Sequence, residues 1–290
     1  MSRSRASAGT GNRSLTRTLT VVLLVLAALY FLVPLYWLVI SSMKTQGALS
    51  TTNGLLPDFS NFALFDNIAS LGSVAGGRFG RWVLNSVIYA VGGAAVATLL
   101  SILAGYALAV FVFPGRSRLF ELVVAGLIMP TTALALPLFL LFSAVGLNDT
   151  YWAVLLPSIV NPFGVYLARI YAAEAVPLEV VEAARLDGAS ELRIFFEIVS
   201  RMLTPATVTI FLVQFVHIWN DFFLPRLVLQ DSDLYPLTLG LFQLNVLVER
   251  NAGMQMSVIT GSMLSVMPLV VLFLALQRYW KAGMTAGALR

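Results

Sequence analysis

From Leu19 to Ile40 the chain passes twenty-two residues without one charged side chain. A helix needs about 20 mostly apolar residues to cross ~30 Å of hydrocarbon, and lipid offers no hydrogen-bond partner to an open N–H or C=O. The run therefore reads as a spanning helix. Comparable stretches recur at residues 85–111, 119–142, 151–171, 206–224 and 256–276, which makes six spans. With 59% hydrophobic and 11% charged residues and a mean hydropathy of +0.87, an ordinary soluble domain is excluded. The expected class is an all-α membrane protein.

Residues 1–18 are rich in Ser, Arg and Gly without apolar periodicity and read as a disordered cytoplasmic tail. No small-residue cleavage site follows the first apolar run, so it reads as a retained span and not as a signal peptide. The six-span transmembrane domain then covers 19–280, and 281–290 form a cytoplasmic C-terminal tail. Segments 41–80, 146–150 and 221–250 fall outside the cell in this scheme. Thirteen of the eighteen Lys and Arg residues lie on the inner side, while the fourteen acidic residues divide equally. The positive-inside rule counts cations, so both termini are expected in the cytoplasm, and membrane lipid explains the basic balance without nucleic acid.

Much chemistry is closed to this sequence. It has no cysteine and a single histidine, His217, and it lacks a GxxxxGK[ST] loop, an HExxH pair and a nucleophile elbow. No catalytic residue, metal ligand or cofactor-binding residue is expected, and any ATP must be bound by another subunit.

One polar island interrupts the apolar pattern, at residues 174–205. Pro177 suits a helix start, Glu179, Glu182 and Arg185 follow at helical spacing, Gly188 suits a C′ position, and Ser190 suits the N-cap of a second helix. Helix, tight turn and helix result. Glu182-Ala183-Ala184, Asp187-Gly188-Ala189, Phe195, Ile198 and Pro205 resemble, in order and spacing, the EAA loop of permease subunits of bacterial binding-protein-dependent ABC importers. One departure is Arg201, where that family usually carries proline. The Phe113-Pro114-Gly115-Arg116 turn and the Gln277-Arg278-Tyr279 and Gly283–Ala288 stretches resemble the carbohydrate-transporting, maltose-system-like branch.

The resemblance implies a multi-pass protein of the bacterial inner membrane that forms half of a translocation pathway. Its partners would be a second homologous permease, a dimer of cytoplasmic ATP-binding subunits and an extracytoplasmic solute-binding protein. Glu182, Ala183, Ala184, Asp187, Gly188 and Ala189 would form the coupling helix that docks on the ATPase. Gly283, Thr285 and Gly287 would belong to a tail that contacts it, although a basic, glycine-containing tail is also what disorder looks like.

Gln214, His217 and Asp221 share an arc of about 60° on the fifth span, a polar face at membrane depth fit for sugar hydroxyls. Trp219 and Asn220 fit better as an anchor at the outer interface, and Pro130 and Pro137 fit either a packing kink or a bend that lines a pathway. The reading is a sugar permease. An importer of amino acids, peptides or polyol phosphates stands as the alternative, and a secondary transporter lacks the internal repeats that would support it.

Overall fold

The computed structural model describes the backbone of residues 8–287 and the side chains of residues 16–279. Among the described residues the chain is almost wholly helical and holds no β-strand. In chain order the helices are α1 Ala8–Ser42, α2 Gln46–Thr51, α3 Leu64–Leu71, α4 Phe79–Val87, α5 Gly93–Val110, α6 Arg116–Ile128, α7 Thr131–Ala144, α8 Tyr151–Ile159 and α9 Pro162–Ala175. Then follow α10 Leu178–Leu186, α11 Glu191–Ile194, α12 Ser200–Met202, α13 Thr204–Asn220, α14 Phe223–Val228, α15 Leu237–Val248 and α16 Gln255–Gly287. Residues 88–92 and 195–199 widen into π turns.

Four candidate spans are long and apolar enough to cross a bilayer by themselves, Thr16–Ser42, Phe79–Val110, Tyr151–Ala175 and Ala252–Tyr279. Two more arise from broken pairs. Arg116–Ile128 and Thr131–Ala144 meet at 102°, and Glu191–Met202 and Thr204–Asn220 meet at 80°. Pro130 makes the first break, for it has no N–H and pushes Met129 to extended dihedrals. Pro137 lies inside α7 without breaking it. The second break falls at Leu203, beyond Arg201, with Pro205 in the first turn of α13.

Two compact units divide the chain, 1–71 with 248–264, and 72–247 with 265–290. In the first, α1 already begins at Ala8, upstream of the apolar run, because extending a formed helix costs far less than starting one. Its apolar surface is open along its length, as in Leu23 and Phe31. The stretch after α1 packs instead of trailing as a loop. Ser41, Ser42 and Lys44 are fully buried. The Lys44 Nζ donates to Thr52 Oγ1 at 3.0 Å and to the Asn53 carbonyl, while Asn67 Nδ2 donates to the carbonyls of Ser42 and Lys44. Ser42 Oγ contacts Met263 Sδ, and Gln46 Nε2 reaches the Ala252 carbonyl, so this segment is fastened to the start of α16.

In the second unit α5 packs along α9 and α13. Gly164 of α9 makes the approach possible, since a Cβ there would overlap Ser101 of α5, Asn161 and Ile210 of α13. Residues 221–250, expected as an outer loop, fold into α14 and the apolar α15. The helix α16 runs on through 281–287, past the expected end of the spanning domain; residues 1–7 and 288–290 lie outside the described residues.

Candidate functional site

The polar island folds as an elbow. Pro177 caps α10, and Asp187 and Gly188 close it, Gly188 at φ +79°. The N–H of Ala189 bonds the Ala184 carbonyl and the N–H of Gly188 bonds the Arg185 carbonyl, each at 3.0 Å. That pair of crossed bonds is a Schellman motif, which satisfies the last carbonyls of α10 and requires a left-handed residue at position 188. Ser190 then caps α11 by accepting from the Arg193 N–H. Across the turn Arg185 Nε and Nη2 donate to the two carboxylate oxygens of Glu191 at 2.6 and 3.2 Å, and this bond holds the guanidinium pKa up. Both side chains are substantially exposed, so the pair contributes under about 1 kcal/mol and chiefly fixes the angle between the arms.

Beneath the elbow lies an apolar cluster. Val181, Ala184, Ile194, Phe195, Val199 and Leu203 pack with Ile102 and Tyr106 of α5, Ala168 and Ala172 of α9, and Ala206 and Ile210 of α13. The Tyr106 ring lies 5.6 Å from that of Phe195. The elbow is thus seated on the ends of three helices and is continuous with two, through Val176 into α9 and through Leu203 into α13.

The six residues expected at a partner surface divide by face. Glu182, Ala183, Asp187 and Gly188 are exposed, whereas Ala184 is buried and Ala189 packs against the cluster. Leu186 is 90% exposed at the apex, and Leu192 and Phe196 are exposed as well. Periodicity could have flagged Leu186, which stands one turn beyond Glu182 and Ala183 on the outward face.

On α13 the polar set also separates. Gln214 is buried, and its Nε2 donates to the Ser158 carbonyl at 2.8 Å. His217 and Asn220 are exposed, and Asp221 is half-buried, its Oδ1 accepting the Phe223 N–H to start α14. Trp219 is buried, its Nε1 donating to the Ser265 carbonyl and its ring stacked 5.6 Å from Phe215. Thr131 and Thr132, just past the break at Pro130, are exposed as well, and Thr132 borders an apolar cavity of about 340 Å³ with Phe139, Phe223 and Leu227. Gly283, Thr285 and Gly287 follow the α16 backbone, but their side chains lie outside the described residues.

A further network went unread in the sequence. Residues 230–237 are clamped onto α4 and its π turn: Trp82 Nε1 donates to the Ser232 carbonyl, Asn85 Nδ2 to those of Asp233 and Tyr235, and Tyr89 Oη to that of Leu234. Tyr151 Oη donates to Asn85 Oδ1, Arg78 pairs with Asp233 at 2.7 Å, and Asp149 accepts the N–H groups of Gln230 and Asp231. Asn85 is at the centre, with its whole amide used.

Comparison with known proteins gives the family and the fold. Residues 97–285 match the family described as binding-protein-dependent transport system inner membrane component. The chain is 32% identical, over 94% of its length and 95% of the relative's, to the arabinooligosaccharides transport system permease protein AraQ of Bacillus subtilis. It is 34% identical, over 89% of its length and 91% of the relative's, to the lactose transport system permease protein LacG of Rhizobium radiobacter. Its fold is similar, with a TM-score of 0.79 and 21% identity over 96% of this chain and 100% of the other, to a chain in the crystal structure of a bacterial ABC transporter involved in the import of the acidic polysaccharide alginate.

Proposed function

The chain belongs to the family of binding-protein-dependent transport system inner membrane components, and on that premise we propose that it is a permease subunit of an ATP-driven oligosaccharide importer. It is a transport component and not an enzyme. Its family works in the inner membrane with an ATPase and a solute-binding protein. The observation that carries the docking part of the reading is the apex of the elbow, where a nine-tenths exposed Leu186 stands between Glu182, Ala183 and Asp187. A large apolar side chain so bared, rimmed by charge, suits a partner's cleft.

In this reading ATP binding closes the paired ATPases and pulls the elbow, and α9 and α13 carry the pull into the membrane. A second, homologous permease completes the pathway, and lipid covers the apolar faces of the spans. His217 and Asn220, polar and exposed on α13, line the pathway together with Asp221 at its outer end. Gln214 stands behind that face. Both termini lie in the cytoplasm, and the tail that carries Gly283, Thr285 and Gly287 reaches the ATPase. The names of the two relatives support an oligosaccharide as cargo.

Purification from native membranes is expected to bring down a nucleotide-binding subunit with the chain. Uptake of labelled oligosaccharides into cells should stop on ATP depletion and persist under an ionophore. The reverse pattern would point to a secondary transporter and overturn the proposal.

A further inference from the structure

Pro162 opens α9 and has no N–H, so the Ser158 carbonyl, four residues earlier, is denied its helical donor. Val160 (φ −79°, ψ 109°) and Asn161 (φ −132°, ψ 81°) leave helical space, and the fourth span is therefore two rods, α8 and α9, joined by two extended residues. Each end of the break has a substitute partner. Asn161 Oδ1 accepts the Gly164 N–H at 2.9 Å and caps α9. The Ser158 carbonyl takes its donor from another helix, the Gln214 amide of α13 at 2.8 Å. That amide is buried, so water does not compete for it.

The position of this bond matters mechanically. Both α9 and α13 run directly into the docking elbow, one at each of its ends, and share its apolar cluster through Ala168, Ala172, Ala206 and Ile210. A pull on the elbow reaches α8 poorly through a non-helical joint. By contrast α13 is unbroken from Thr204 to Asn220 and passes the joint at Gln214. We propose that Gln214 is a positioning residue that carries movement of the elbow past the break in the fourth span to its outer half, α8. The inference rests on the docking role proposed above.

Because the sequence has no cysteine, introduced pairs take spin labels cleanly once the partner subunits are made cysteine-free. Pulsed EPR on the purified complex, without nucleotide and with ATP plus vanadate, reads the two rods separately. One pair joins Val112→Cys to Ile170→Cys on α9, and the other joins Val112→Cys to Trp152→Cys on α8; all three native side chains are exposed. In the wild-type background both distances change. In Q214L the α9 change persists and the α8 change falls at least twofold. In Q214L/P162A, where residue 162 regains an N–H for Ser158 and α8 and α9 become one rod, the α8 change returns.

An α8 change in Q214L equal to the wild type overturns the inference. So does a Q214L complex in which both changes shrink together and P162A restores neither, for Gln214 then only holds the fold. If Q214L does not assemble, Q214N, one methylene short of Ser158, is read against the same outcomes. Absence of any movement in the wild type sinks the docking role itself, and this inference with it.

Discussion

At the scale of single residues the elbow depends on a backbone that only glycine adopts easily. A β-branched side chain at φ +79° meets its own carbonyl, at a cost of about 1–2 kcal/mol, and loses the crossed bonds that end α10. Gly188→Val is therefore expected to abolish ATP-coupled uptake while membrane extracts contain normal amounts of the subunit. Leu186 works differently, since its side chain stands nine-tenths exposed. Leu186→Ala should leave thermal melting unchanged and weaken ATPase co-purification at least about tenfold, given ~1.5–3 kcal/mol for burying a leucine and ~1.4 kcal/mol per decade. Gly164→Leu is the opposite case. The side chain would enter the space between Ser101 and Ile210, and overpacking of ~1–3 kcal/mol should lower the melting temperature of the purified subunit.

At the scale of elements, the clamp on residues 230–237 shows how a segment without helical periodicity becomes fixed. Ser232, Asp233, Leu234 and Tyr235 offer carbonyls, and α4 and its π turn return Trp82, Asn85 and Tyr89 as donors. Asn85→Ala removes two donors and the acceptor of Tyr151 at a buried site, where each unmet group costs ~1–3 kcal/mol. Faster protease cleavage within residues 230–237, with the elbow still protected, is the expected readout. The two bent helix pairs follow the same logic in reverse. Proline removes a backbone donor at a known place, and the chain turns by 102° or 80° there because the helix has lost its reason to continue.

At the scale of the whole molecule the topology is open to direct measurement. With no native cysteine, Ser232→Cys should react with a membrane-impermeant maleimide on intact cells, and Val112→Cys, at a side chain 93% exposed beside the turn at 113–116, only after permeabilisation. Labelling of Val112→Cys from outside would invert the scheme. What the sequence determined alone is what local pattern carries: spans set by length and hydropathy, the elbow set by Pro177, Gly188 and Ser190, and the family set by the order of residues along that elbow. Hydropathy could not tell that residues 41–71 pack around a buried Lys44, or that 237–248 form a helix. The same pattern placed Ala184 with Glu182 and Gln214 with His217, because periodicity assigns a face without saying what meets it. Only the tertiary structure decided that Ala184 looks inward, that Leu186 stands bare, and that the amide of Gln214 answers a carbonyl fifty-six residues away. Those outcomes depend on which surfaces come together over long stretches of chain, a property of packing that no window of sequence contains.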